Sequence, residues 1–297
     1  MMKYAKIGKR ITVIFSVLLA GVFGFVYYAA PYMILTPRKF NLSRTPADLG
    51  LPYEKITVKT ADSLTLHGYW IHRPGENGKS AVILLHGVGG CKEHWLQTAA
   101  WLWEEGYETV LFDGRAHGES EGRYCTYGYF EKHDVSAITD FVVQRKNGEP
   151  VGVWGNSLGG AIALQALAIE PRLQFGIIQS TFSDFRTIVY DYQRQRLKIP
   201  WRWFSEDGIA RAAEMARFEP DSIRPGEAAR RIRQPILLAH GDADDRISPE
   251  YGRQIFANLG SVEKELHIVR GAGHLNLMAR GGDAFKSTLT RFLDNQN

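Results

Sequence analysis

Short apolar runs alternate along this chain with stretches of helical periodicity. Glu54 to Thr60 and Leu64 to His72 read as strands on either side of Ala61-Asp62-Ser63, a hairpin signal. Ser80 to Leu85, Thr109 to Asp113, Val151 to Trp154, Phe175 to Gln179, Pro235 to Ala239 and Lys264 to Val269 are further apolar or β-branched runs of strand length. Between them Thr98 to Glu105, Phe130 to Val143, Ala161 to Ala168, Pro249 to Leu259 and Asp283 to Leu293 carry helical spacing. Strands that alternate with helices build βαβ units. The pattern therefore predicts an α/β fold on a mostly parallel sheet, with the opening hairpin as an antiparallel edge. No internal repeat or low-complexity tract interrupts it.

Before this domain the pattern is different. Lys3, Lys6, Lys9 and Arg10 make residues 1–10 a basic tail, and residues 11–30 follow without a charge. At about 1.5 Å per residue that run spans roughly 30 Å, the hydrocarbon thickness of a bilayer. Nothing polar marks a solvent face, so a transmembrane anchor is expected rather than a buried globular helix. A cleaved signal peptide is the alternative, but the run is long and ends in Tyr27-Tyr28-Ala29-Ala30-Pro31-Tyr32, aromatics that suit a membrane interface. From the basic tail the N-terminus is expected in the cytoplasm and the domain outside it. Residues 31–53 read as a linker, and 54–297 as the domain.

Composition adds little to this picture. Of 297 residues, 44% are hydrophobic and 23% charged, enough for a core, and the net charge of +4 is spread along the chain, which argues against nucleic-acid binding. Cys91 and Cys125 have neither a disulfide framework nor metal-site spacing and are expected as free thiols. No Gly-x-Gly-x-x-Gly follows a strand, and no phosphate loop or metal-ligand spacing is present, so no cofactor is expected.

The chemistry gathers at Gly155-Asn156-Ser157-Leu158-Gly159-Gly160. Here a strand passes through a sharp turn into a helix. Side chains at the flanking glycines would meet the neighbouring strand and helix, and the central serine is forced into strained geometry. Its hydroxyl stands beside the first N–H groups of a helix, where a nucleophile and a developing oxyanion are served. A small-residue loop is the bland alternative. A serine hydroxyl needs a base, and a neutral histidine suits that role. Among nine histidines, His274 follows the strand Lys264 to Val269 in a Gly-Ala-Gly turn, at the strand edge that carries Ser157. His86 and His117 also end strands and are expected to hold loops. The acid that orients the histidine is expected in Asp242-Ala243-Asp244-Asp245, after Pro235 to Ala239. Asp244 is the choice. Asp242 can cap the turn, Asp245 can pair with Arg246 in solvent, and Asp184 is a rival from the next strand. Oxyanion donors are expected from the backbone of Leu158 and of Val88 in the loop after Ser80 to Leu85.

Taken together, His86-Gly87-Val88-Gly89-Gly90, Asp113-Gly114-Arg115-Ala116-His117-Gly118-Glu119-Ser120, the serine turn, His240-Gly241-x-x-Asp244 and Gly273-His274 resemble the α/β-hydrolase superfamily, over about residues 56–297. Within it, the chain resembles the membrane-anchored serine hydrolases of the BEM46-like group. The resemblance implies an eight-stranded sheet and a Ser-Asp-His triad carried by Ser157, Asp244 and His274. It departs at Ala116, where glycine is common in such sequences. Residues 183–225 form a long insertion between core strands, which in this fold implies a partial lid. Its Pro200-Trp201-Arg202-Trp203-Phe204 would line an acyl pocket, touch the bilayer, or simply pack the segment down. The reading that follows is a membrane-anchored hydrolase of carboxylic esters or thioesters, acting on a small or lipid-like acyl substrate. A peptidase or a non-catalytic binding protein on the same fold are the alternatives.

Overall fold

The strand runs become β1 (Tyr53–Lys59), β2 (Thr65–Ile71), β3 (Ala81–Leu85), β4 (Glu108–Phe112), β5 (Val151–Asn156), β6 (Phe175–Gln179), β7 (Ile236–Gly241) and β8 (Lys264–Val269). In the computed structural model they form one sheet in the order β1-β2-β4-β3-β5-β6-β7-β8. The structure describes residues 2–73, 79–146 and 148–297, but not the side chains of residues 2–5 and 26. Met1 and the side chain of Lys3, both in the basic tail, lie outside the described residues. β1, β2 and β4 pair antiparallel, and every other neighbour pair is parallel. The pattern of continuous apolar strands preceded by a hairpin predicts this arrangement.

β3 and β6 are buried along their whole length. Strands covered on both faces have no solvent side to mark with polar residues, which is why they read as unbroken apolar runs. Adjacent residues still point to opposite faces. Val153, Ile178 and Leu238 belong to one core cluster, while Trp154, Ile177 and Leu237 belong to the other. The covering helices, in chain order after the N-terminal segment, are α3 (Leu96–Glu104), α4 (Glu131–Val143), α5 (Leu158–Leu167), α6 (Phe185–Tyr192), α7 (Arg202–Ala216), α8 (Pro225–Ala228), α9 (Pro249–Asn258) and α10 (Leu277–Asp294). The helix expected over Asp283 to Leu293 is the second part of α10. Gly282, at φ 52°, kinks it one residue earlier, and the turn before the kink carries no helical periodicity of its own.

The N-terminal segment holds α1 (Met2–Gly24), a π-helical turn at Phe25–Ala29, and α2 (Ala30–Leu35). Pro31 lacks an N–H, and its ring would strike the carbonyl of Tyr27 in a regular helix. A widened turn just before it relieves that clash. Lys6–Leu35 makes one helix long and apolar enough to cross a membrane. Its far end is docked on the domain: Tyr127 donates its hydroxyl to the Ile34 carbonyl at 2.7 Å, and the Cys125 amide donates to Leu35 at 2.8 Å. Two carbonyls left over at the helix end are thus satisfied by the domain. Leu35 is fully buried among Phe185, Ile209 and Phe218, so its packing partners come from the insertion between β6 and β7.

Ala116, the departure from the expected glycine, has φ 63°. That left-handed conformation favours glycine, and here an alanine bears its cost.

Candidate active site

β5, β7 and β8 run parallel, so their C-terminal ends share one edge of the sheet. Ser157 directly follows β5, Asp244 lies three residues past β7 and His274 five past β8. The structure brings the three side chains together. Ser157 Oγ and His274 Nε2 are 3.0 Å apart, and His274 Nδ1 lies 2.8 Å from Asp244 Oδ2. All three residues are buried.

Ser157 adopts φ 57°, ψ −119°, a region costly for a residue with a side chain. The surroundings impose it. The Ser157 amide donates to Gln179 at 2.9 Å, and Thr181 Oγ1 donates to the Ser157 carbonyl at 2.7 Å. A Cβ on Gly155 would stand 2.1 Å from the Gly159 carbonyl oxygen, so glycine is required for strand and helix to approach this closely.

The loops that carry Asp244 and His274 are tied to each other. The Ala243 amide donates to the Ala272 carbonyl at 3.0 Å, and Asp242 Oδ1 accepts the Gly271 amide at 2.6 Å. Asp242 therefore caps the turn. Asp184 caps α6 by accepting the Thr187 amide, and Asp245 is exposed. Of these four aspartates only Asp244 reaches His274. Its Oδ1 accepts the amides of Arg246 and Ile247 at 2.9 and 3.0 Å, leaving Oδ2 for the imidazole. Burial opposes the Asp244 charge, but hydrogen bonds from His240, His274 and the Ile247 amide outweigh it. They hold this carboxyl well below the usual carboxylate range.

His240 stands in the motif His240-Gly241-x-x-Asp244, where the sequence assigns it no role of its own. It is fully buried, donates Nε2–H to the Ile247 carbonyl at 2.9 Å and stands 3.3 Å from Asp244 Oδ2. The only local signal was its position four residues before Asp244, at the end of an apolar strand.

Leu158 opens α5, so its amide has no partner within the helix. Val88 is the second residue of a turn closed by the Gly90 amide on the Gly87 carbonyl at 2.9 Å, with Gly89 at φ 67°. Among the described residues nothing accepts the Val88 amide. The turn packs against the serine, for a Cβ on Gly87 would meet Ser157 Cβ at 3.2 Å. Buried Lys92 holds the chain just beyond it by pairing with Asp113, Glu119 and Glu93 at 2.8, 2.7 and 3.0 Å.

His86 and His117 hold loops, as expected. His86 accepts the Gly114 amide on Nε2 at 2.9 Å and donates from Nδ1 to the Gly87 carbonyl, and its ring lies 4.8 Å from that of His117. Burial, then the neighbouring His117, pushes His86 down from 6.5 to about 3. Between those two values the unfolded chain binds a proton here and the folded chain does not. Stability therefore falls as pH drops from 6.5 towards 3. Urea unfolding at intervals from pH 7 to pH 4 checks this. His86→Gln should lower stability at pH 7 and flatten the acid slope. A slope equal to wild type would show that His86 is not its source.

Two cavities meet at Ser157 and share Val88 and Tyr192. One, of about 290 Å³, is lined by apolar groups including Phe182, Ile188, Phe204 and Ile247. The other, of about 460 Å³, is more polar and includes His94, Thr98, Gln179 and Arg246. Of the aromatics at Pro200 to Phe204, Phe204 lines the apolar cavity, whereas Trp201 and Trp203 are 60% and 51% exposed.

The sequence profile of the Alpha/beta hydrolase family matches residues 82–287. A 2,6-dihydropseudooxynicotine hydrolase of Paenarthrobacter nicotinovorans is 28% identical over 83% of this chain, which spans 63% of that protein's length. A lysophosphatidylserine lipase of Danio rerio is 26% identical over 67% of this chain and 52% of its own. Among solved structures, an esterase of Pyrococcus furiosus superposes with a TM-score of 0.74 at 25% identity, covering 89% of this chain and 98% of the esterase.

Proposed function

From the premise that the chain belongs to the alpha/beta hydrolase family, we propose that it is a membrane-anchored serine hydrolase, of the BEM46-like kind, that cleaves carboxylic esters or thioesters. The observation that carries this reading is the unbroken relay from Ser157 Oγ through His274 to Asp244.

In this mechanism His274 Nε2 takes the Ser157 proton as Oγ attacks the acyl carbon. The amides of Leu158 and Val88 receive the negative charge that develops on the carbonyl oxygen. Collapse expels the alcohol or thiol, which leaves with the proton from His274, and the acyl group remains on Ser157. Water, deprotonated by the same imidazole, then releases the acid and restores the serine. Asp244 stays ionised throughout and stabilises the imidazolium. Esters are preferred to amides because the similar proteins include an esterase and a lipase. The apolar N-terminal helix supports the anchor, with the N-terminus cytoplasmic and the domain beyond the membrane.

A fluorophosphonate probe tests the core of the proposal. It should label the wild type and leave Ser157→Ala unlabelled, with both proteins melting at similar temperatures. A folded wild type that resists labelling would mark the fold as a binding scaffold.

A further inference from the structure

The apolar cavity beside Ser157 is not built by the hydrolase domain alone. Phe25, Ala30, Met33 and Ile34, from the end of the N-terminal helix, line it together with Phe204 and Gly208 of the lid. The junction is close-packed: Phe25 stacks on Phe204 with ring centroids 5.7 Å apart, and a Cβ on Gly208 would lie 3.4 Å from Ala30. The exposed lining residues Met33, Arg196 and Leu197 mark the mouth.

Around that mouth the surface suits a bilayer. Trp201 and Trp203 stack on each other at 6.4 Å, Trp203 packs edge-on against Phe204 at 5.8 Å, and Phe204 meets Phe25. A line of rings thus runs from the exposed lid to the apolar helix. Tyr27, Tyr28 and Tyr32 are exposed on the same helix end. Arg194, Arg196, Lys198 and Arg202 are exposed within residues 194–204, which contain no acidic residue, although Arg202 pairs with Glu206 at 3.3 Å. Exposed aromatics suit a surface seated at the headgroup level of a membrane, and the cations suit its phosphate groups.

From this we infer that the N-terminal helix is a wall of the acyl site, and that the substrate is an ester resident in the bilayer whose acyl chain enters this cavity from the membrane. The tail lies between helix and lid, the acyl carbon reaches Ser157, and the head group occupies the polar cleft beside His94 and Arg246. The inference rests on the acyl-serine reading for its chemistry, but its geometry is independent of it.

The test uses the full chain reconstituted in vesicles of phosphatidylcholine and phosphatidylglycerol. With p-nitrophenyl esters from acetate to octanoate, wild-type kcat/KM should rise roughly fourfold per methylene until the cavity is filled. Ile34→Trp and Met33→Trp, which fill the cavity from the helix side, should each lower the octanoate-to-acetate ratio of kcat/KM by about tenfold or more. Met33 is 61% exposed, so its replacement leaves the core intact and keeps the test valid if Ile34→Trp fails to fold. Brominated acyl chains in the same vesicles should quench wild-type tryptophan emission more than that of a Trp201→Phe/Trp203→Phe protein. An unchanged chain-length ratio in the folded variants would overturn the helix wall, and equal quenching would overturn entry from the bilayer. Failure of the fluorophosphonate to label the wild type would instead overturn the acyl-serine reading, while the quenching result would stand on its own.

Discussion

On the proposed mechanism, Asp244→Asn should lower kcat for a good ester substrate by about 10⁴-fold while leaving the fold intact, the size of loss that this replacement causes in serine triads. The cause lies in which oxygen is already taken. Oδ1 accepts two backbone amides, from Arg246 and Ile247. An asparagine must keep its oxygen there, because its NH₂ group would face two N–H donors. The NH₂ is therefore turned towards His274, where Oδ2 stood. It can only donate, so His274 Nδ1 must accept and the ring proton moves to Nε2. A protonated Nε2 facing Ser157 Oγ has no lone pair to take the hydroxyl proton. The same NH₂ also faces the Nε2–H of His240, 3.3 Å from the lost oxygen, so the amide is doubly misplaced. Steady-state kinetics, with far-UV circular dichroism to check the fold, decides it. Activity within tenfold of wild type would mean that Asp244 does not set the tautomer.

The features of this site that sequence makes legible are the local ones. A strand, a small-residue turn and a helix are contiguous, so the geometry around Ser157 follows from neighbouring residues. The positions of Asp244 and His274 follow from one further step, that parallel strands put their following loops at one edge. Asp244 stands out from Asp242 and Asp245 only in three dimensions, where Asp242 reaches Gly271 and Asp245 points to solvent. Nothing local in the sequence marks Lys92, because the Asp113 and Glu119 that pair with it lie 21 and 27 residues away. Residues 25–35 are the larger omission. Hydropathy reports that a segment avoids water but does not tell lipid from protein as its neighbour. The helix Lys6–Leu35 thus contains exposed Phe23 and buried Leu35, and its place in the lining of the apolar cavity is visible only once the insertion between β6 and β7 is folded against it.

Gly159→Val should be strongly destabilising, lowering the melting temperature by roughly 10 °C or preventing folding outright. A Cβ at this position would lie 2.1 Å from the Leu85 carbonyl oxygen and 2.8 Å from that of His86. Those are backbone atoms at the end of a central strand, so no side-chain rotation relieves the clash. α5 would have to draw back from the sheet, yet every residue of α5 is buried. Withdrawal opens voids along its length while the branched side chain overpacks its start, and both effects destabilise. A cost of about 4 kcal/mol is a large share of the 5–15 kcal/mol typical of a folded domain. Gly273→Ala provides the contrast, since its new Cβ would approach nothing closer than 3.8 Å. It should melt within a few degrees of wild type, even though it adjoins His274. Thermal unfolding of the two variants side by side reads out the difference. A Gly159→Val protein as stable as Gly273→Ala would show that strand and helix do not meet at this turn as closely as the structure requires, and the strained serine geometry would lose its cause.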